Sequence, residues 1–414
     1  MKVLWICNII LPKISREIGV PETPLGGWLT GLSNDLLKEQ SIELTVCFPH
    51  KQEIEGHTQD GMSYYSFTQK NTTERISQIL KTSSPEIIHI FGTELPHSFQ
   101  ATLACQNLGI LNRLVISIQG LVSVLEKHYF EGLETSAFFS PTLRSIFFND
   151  SVIGARKKLR TKGALEISTL QKCLHIIGRT DWDYAWTRKI NPNATYHHCD
   201  ESLRDAFYDG CNWELEKCEK HSIFFSQCSY PIKGFHLMLE AMPEILKDYP
   251  DAHIYITGRD ILKPKSLKDW IKTTSYQKYL SKIIQKKSLE NKITFLGRLN
   301  EFEIINQLLK SHVFVSASTC ENSPNSLGEA MMLGVPSVAS DVGGIKNMLD
   351  HGIDGYIYQP TEPIMLAHYV KSIFKNDTIA NFFSQNAKKH ATHTHNRKKN
   401  LSALIKVYQS IANP

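Results

Sequence analysis

One fragment limits the architecture more than any other. Val313-Phe314-Val315-Ser316 runs through a polar loop into Ser323-Pro324-Asn325-Ser326-Leu327-Gly328-Glu329-Ala330-Met331-Met332-Leu333-Gly334-Val335-Pro336. The opening is a short apolar run with β-branched residues, the pattern of a buried strand. Ser323 and Pro324 are residue types favoured at an N-cap and a first helical position. Ala330 to Leu333 give the helix a buried face, and Gly334 with Pro336 stops it. Strand, polar loop and helix in this order belong to a parallel sheet.

The same plan recurs along the chain. Val3 to Cys7, Ile42 to Phe48, Pro85 to Phe91, Leu114 to Ile118 and Leu174 to Ile177 read as strands, with helical segments such as Leu29 to Leu37 between them. A second series covers Ser222 to Ser226, His253 to Thr257, Ile293 to Leu296, Val313 to Ser316, Val338-Ala339 and Tyr356-Ile357. At 414 residues the chain exceeds one ordinary core, which predicts two αβ domains. Residues 181–220 are polar and irregular in pattern, so the junction is placed there. The tail from Pro363 to Ile411 reads as helices.

Composition narrows the function. Apolar residues are 42% and charged residues 21%, a globular balance. A net charge of +5 suits anionic ligands or a lightly anionic membrane surface, and no nucleic-acid-binding motif accompanies it. Nine cysteines without a Cys-x-x-Cys pair predict a reducing, cytoplasmic setting. His197-His198-Cys199-Asp200 and His393-Thr394-His395 hold metal-ligand types without zinc spacing, and read as surface or linker. The apolar start ends at Pro12 without a cleavage site, so it reads as a first strand rather than a signal peptide. No run reaches transmembrane length.

In sheets of this kind ligands bind beyond the carboxyl ends of the strands. Glu94, Gln119 and Arg179 all follow such ends. Gly26-Gly27 open a helix, where paired glycines let a backbone approach an anion. Lys233 follows a strand and precedes a helix, where a lysine can neutralise a diphosphate as a point charge. The amides of Asn325, Ser326 and Leu327 are expected in a first helical turn, pointing at an anion. Glu321 and Glu329 flank that place, and carboxylates beside a phosphate are favoured only where they accept from hydroxyls. A nucleotide sugar has that layout: ribose, diphosphate, sugar. The plain alternative is a capped helix with two solvated glutamates. Between Lys127 and Lys172 lies an insertion with His128-Tyr129-Phe130, Phe138-Phe139, Phe147-Phe148 and a basic run from Arg156 to Lys162. It reads either as core aromatics with a solvated charged face, or as a surface for an anionic membrane.

The Glu321–Glu329 pair, seven residues between, resembles the signature of the retaining family 4 glycosyltransferases, also called glycosyl transferases group 1. Gly26-Gly27 and Lys233-Gly234 match that family's donor-phosphate positions. The resemblance implies the GT-B fold: an α/β architecture of two Rossmann-like domains facing each other across a cleft. It implies an acceptor domain over 1–195, a nucleotide-sugar domain over 196–385, and a last helix over 386–414 returning to the first domain. It implies transfer of a sugar from a nucleotide-diphosphate sugar to a hydroxyl acceptor with retention, without metal or other cofactor, in polysaccharide or glycolipid synthesis. Glu321, Lys233 and Gln119 would be catalytic. Gly26, Gly27, Arg179, Lys233, Glu321, Asn325, Ser326, Leu327 and Glu329 would bind donor, and Glu94 would face the acceptor. The base would sit near Gly258-Arg259 and Gly297-Arg298-Leu299. The chain departs from the family twice: Ser226-Gln227-Cys228-Ser229 stands where a Gly-Arg pair is usual, and Gln119 where many members have histidine. Arg179 is the candidate for the lost charge, with a structural salt bridge as its other reading. A non-catalytic nucleotide-sugar binding protein or an epimerase of the same fold is the alternative function. Partners would be a nucleotide sugar, a carbohydrate or lipid-linked acceptor and, peripherally, the inner membrane face.

Overall fold

The computed structural model describes residues 1–23, 26–148, 150–263, 266 and 271–413. The chain forms two compact units. Met1–Ser123, Thr161–Asp205 and His395–Pro414 make the first; Val124–Arg160 and Ala206–Thr394 make the second.

The first unit is built on β1 (Lys2–Ile6), β2 (Glu43–Pro49), β3 (Glu55–His57), β4 (Ser63–Phe67), β5 (Ile87–Phe91), β6 (Leu114–Ser117), β7 (His175–Gly178) and β8 (Thr195–His198). They form one sheet in the order β3-β4-β2-β1-β5-β6-β7-β8, parallel except for the β3–β4 pair. All five residues of β5 are buried, as expected for a parallel strand covered on both faces. The helix Arg397–Ala412 belongs to this unit. Its Tyr408 hydroxyl accepts from the Trp5 indole at 3.0 Å and meets His89 Nδ1 at 2.7 Å, while His89 Nε2 lies 2.7 Å from the Ser117 hydroxyl. Burial lowers the His89 pKa to about 3, so the ring is neutral and links β5, β6 and the last helix by hydrogen bonds.

The second unit carries β9 (Glu219–Phe225), β10 (His253–Ile256), β11 (Ile293–Phe295), β12 (Ser311–Ser316), β13 (Ser337–Ser340) and β14 (Tyr356–Tyr358). Their order is β11-β10-β9-β12-β13-β14, parallel throughout. This is a doubly wound order, with the winding reversing between β9 and β12. The helix Phe235–Asp248 buries Phe235, Leu237, Met238, Leu239, Met242 and Ile245. No helix among the described residues is long and apolar enough to cross a membrane.

Three expectations change. Residues 181–198 are not irregular, although most of 199–218 is: Asp181–Ile190 is a helix with a Thr180–Asp183 capping box, and β8 pairs with β7. The β8 residues look polar because it is an edge strand, half of it exposed. The chain passes to the second unit at Asp205/Ala206, inside the expected 181–220 junction but beyond the 195/196 boundary, and it re-enters the first unit at His395 rather than 386. The segment Val124–Arg160 is not part of the first domain. The Thr319 hydroxyl donates to the His128 carbonyl at 3.1 Å, His236 Nε2 lies 3.1 Å from the Glu131 carbonyl, and the Glu134 amide donates to the Tyr279 hydroxyl at 3.3 Å. These bonds and the buried Tyr129 tie it to the second unit. Cys199, read as surface or linker, is buried on the first unit's core.

Candidate functional site

Reversal of the winding leaves a crevice between the loops that follow β9 and β12. Lys233 lies on the first loop and Glu321 on the second. Three contacts stitch the loops together. The Thr319 amide donates to the Ile232 carbonyl at 2.8 Å. Gly234 packs on the Ala317 carbonyl, where a Cβ would stand 1.7 Å from the oxygen. The Lys233 ammonium forms an ion pair with Glu321 Oε1.

That ion pair is the centre of the site. The two side chains are 15% and 13% exposed, enough to be reached and too little to be screened as a surface pair is. The Ser318 hydroxyl donates to the same Glu321 oxygen at 2.9 Å. The Glu321 carbonyl accepts from the Gly344 amide at 3.2 Å, and a Cβ on Gly343 would stand 1.7 Å from it. Both ends of Glu321 are thus held. Burial by itself would lower the Lys233 pKa; the adjacent Glu321 carboxylate outweighs that and the net shift is upward. Lys233 is a fixed positive charge at every ordinary pH. Its ammonium also lies 5.9 Å from the Tyr230 ring centroid, within cation–π range.

The helix after Glu321 spans Asn325–Met332. Its N-cap is Pro324, not Ser323, because the Pro324 carbonyl already accepts from the Leu327 and Gly328 amides at 3.0 and 3.3 Å. The Leu327 amide is therefore satisfied within the turn and does not point at an anion. Asn325 and Ser326, half-buried, keep the first-turn position in which an amide has no intrahelical acceptor. Glu329 is 6% exposed, on the buried side of this helix. Lys233, Ser318, Glu321, Asn325, Ser326 and Glu329 all lie in this unit, on or just after the two loops. The predicted base-side loops also meet: Gly258 and Gly297 exchange amide-to-carbonyl bonds at 2.8 and 3.1 Å.

The remaining candidates belong to the first unit, whose own winding reverses between β1 and β5. Gly26, with φ +71°, caps Gly27–Leu36, the second helix between β1 and β2. Glu94 follows β5; one carboxylate oxygen is buried without a partner, and burial raises its pKa. Gln119 and Arg179 converge on one carboxylate, Glu201. The Gln119 amide nitrogen donates to Glu201 Oε1 at 2.6 Å, and Arg179 pairs with the same oxygen at 2.5 Å. Arg179 also donates to the Ile118 carbonyl, and its side chain is 8% exposed. Its charge is paired inside the unit, which favours the structural reading of Arg179 over the donor-binding one. Arg179→Ala would leave Glu201 buried without its cation, a loss of about 3–5 kcal/mol. We expect a lower denaturation midpoint with nucleotide affinity unchanged; weakened affinity at unaltered stability would restore the donor-binding role.

Glu166 was not picked out from the sequence. It is fully buried in the helix Val152–Leu170. Its carboxylate accepts from the Thr93 hydroxyl at 2.8 Å, the Val122 amide at 3.1 Å, and the Ser123 amide and hydroxyl at 2.9 and 2.6 Å. It fixes the loops after β5 and β6, which carry Glu94 and Gln119. The only sequence signal was a carboxylate inside the apolar run Ala164-Leu165-Glu166-Ile167.

Residues 214–390 match the family described as glycosyl transferases group 1. The putative glycosyltransferase YtcC of Bacillus subtilis is 22% identical over 424 aligned residues, covering 100% of this chain and 93% of the relative. The phosphatidyl-myo-inositol mannosyltransferase of Mycobacterium leprae is 23% identical over 194 residues, 47% of each chain. Among solved structures, Anabaena HepE in complex with UDP and glucose superposes with a TM-score of 0.69 at 15% identity, covering 99% of this chain and 100% of HepE.

Proposed function

From the match of residues 214–390 to glycosyl transferases group 1 and the GT-B fold, we infer a retaining, metal-independent glycosyltransferase that moves a sugar from a nucleotide-diphosphate sugar to a hydroxyl acceptor. The observation that carries the reading is the Lys233–Glu321–Ser318 cluster at the β9–β12 reversal. A buried-side ammonium, two first-turn amides and a carboxylate that accepts from hydroxyls match a sugar joined to a diphosphate.

The donor diphosphate takes Lys233 from Glu321, aided by the Asn325 and Ser326 amides. Glu321, released, accepts from sugar hydroxyls, and Glu329 serves the ribose. The anomeric carbon–oxygen bond to the diphosphate breaks with oxocarbenium-like charge on the sugar. The acceptor oxygen attacks from the same face, and its proton passes to the leaving phosphate oxygen. The products are the glycoside, with configuration retained, and the nucleoside diphosphate. Lys233 and the amides stabilise the charge that gathers on the leaving group. In this reading no metal takes part, and no cofactor beyond the donor.

The acceptor is a cell-surface polysaccharide precursor or a glycolipid, reached from the cytoplasmic face. The named activity of the mycobacterial relative supports a lipid-borne acceptor. A thermal-shift screen of nucleotide sugars tests the donor side. A true donor at 100 times its Kd adds about 2.7 kcal/mol of stability, and Lys233→Ala removes most of that gain. If no nucleotide sugar stabilises the protein, or the Lys233 variant gains as much, the reading is wrong. Donor consumption without any acceptor would indicate the epimerase alternative instead.

A further inference from the structure

We propose that residues 139–148 and 150–160 form a docking surface for an anionic phospholipid bilayer. Five of the fourteen exposed large apolar side chains among the described residues, Phe139, Leu143, Phe147, Phe148 and Ile153, fall within this short stretch. Phe139, Phe147 and Phe148 are 78%, 79% and 64% exposed. Single exposed apolar residues are ordinary on a soluble surface, whereas a contiguous group marks an interaction face.

The rest of the segment is held, so the exposure is not that of a loose chain. Tyr129 is buried, Phe130 and Phe138 pack edge to face at 4.9 Å, and Arg156 lies over the Phe130 ring at 4.6 Å while pairing with Glu126 at 3.0 Å. The aromatic cluster therefore divides: one half is core of the second unit, and the other half points outward.

Charge selects the partner. Residues 139–160 contain Arg144, Arg156, Lys157, Lys158 and Arg160 against the single acid Asp150. Asp150 is engaged by Arg144, whose guanidinium lies 5.7 Å from the Phe148 ring. On the helix Val152–Leu170, Ile153, Lys157 and Arg160 are exposed at i, i+4 and i+7, one helical face. The exposed Lys158 donates to the Phe148 carbonyl at 2.8 Å, which places the basic helix directly beside the end of the short helix Leu143–Phe148. Exposed phenylalanines next to lysines, with acids depleted, fit lipid headgroups and the acyl boundary beneath them. An acidic protein partner would match the lysines but not three bare phenylalanine rings.

This surface deepens the glycolipid reading of the proposed function, and its test needs neither donor nor acceptor, so the two can fail separately. The full chain is sedimented with vesicles of phosphatidylcholine alone and of phosphatidylcholine with 30% phosphatidylglycerol, a composition chosen to give a charged surface of the kind that attracts basic segments. We expect binding to the charged vesicles, at least tenfold weaker binding to neutral ones, and loss in high salt. Phe147→Ser with Phe148→Ser, and separately Lys157→Glu with Arg160→Glu, should each lower binding about tenfold or more at unchanged melting temperature, the expectation for removing about 1 kcal/mol or more of surface attraction per residue. The charge variant keeps the test valid if the aromatic one fails to fold. Equal partition into both vesicle types, or none, overturns the proposal. So does a concentration-dependent dimer that the aromatic variant abolishes without any vesicle binding, which would assign the face to a second copy of this chain.

Discussion

Glu321→Gln will bind the product nucleoside diphosphate more tightly than the wild type and turn over about 100- to 1,000-fold more slowly. The two effects have opposite signs because Glu321 has two jobs. Before donor arrives it neutralises Lys233. A diphosphate must displace that carboxylate, and an isosteric amide, holding the ammonium less strongly, lowers the cost; about 1.4 kcal/mol less competition is a tenfold gain in affinity. During transfer the same carboxylate faces a sugar that is gaining positive charge, and losing one such electrostatic contact costs about 2.7–4 kcal/mol of transition-state stabilisation. Lys233→Ala separates the roles, since it should weaken nucleoside diphosphate binding and turnover together. Calorimetric titration with nucleoside diphosphate, alongside steady-state transfer rates, reads both quantities. Weaker product binding by Glu321→Gln would mean that Lys233 is not the group the phosphate recruits.

Gly234→Ala should lose about 3 kcal/mol or more of stability and disorganise the same site. At φ +70° the residue occupies left-handed backbone, and its Cβ would lie 1.7 Å from the Ala317 carbonyl oxygen and 2.6 Å from its carbon. Both contacts are with backbone, so no rotamer change relieves them. The loop after β9 must then separate from the loop after β12, and the Thr319–Ile232 bond and the Lys233–Glu321 pair lie across that seam. The left-handed conformation alone costs about 1–2 kcal/mol for an alanine, and overpacking adds about 1–3 kcal/mol. Gly352→Ala is the control. Its φ of +77° is similar, but nothing lies within 4 Å of the added methyl. Denaturant melts of the two variants should differ by the clash alone. Equal losses would show that the seam yields at little cost.

The two groups that carry the proposed chemistry were legible because strand, loop and helix succession is written in local periodicity. Lys233 and Glu321 each stand just past an apolar run, and no long-range knowledge is needed to place them at strand ends. The first-turn amides were legible with an error of one residue: Ser323-Pro324 reads as cap and first position, but the Pro324 carbonyl already serves Leu327 and Gly328. Arg179 was legible only as a position. Its neutralising partner, Glu201, is 22 residues away in sequence and reaches it because β7 and β8 are neighbours. Glu166 was not legible, because its donors lie 43 to 73 residues away.

Sequence alone determined the αβ succession, the number of units, and which residue types end each strand, since hydrophobic period, caps and glycine stops act over a few residues. Tertiary structure decided that β9 lies beside β12, that Lys233 pairs with Glu321 and Arg179 with Glu201, and that Val124–Arg160 joins the second unit while leaving three phenylalanines bare. Those outcomes depend on distance and burial between residues far apart in the chain. A charge or an aromatic ring carries no mark of its partner until the fold brings the two within a few ångströms.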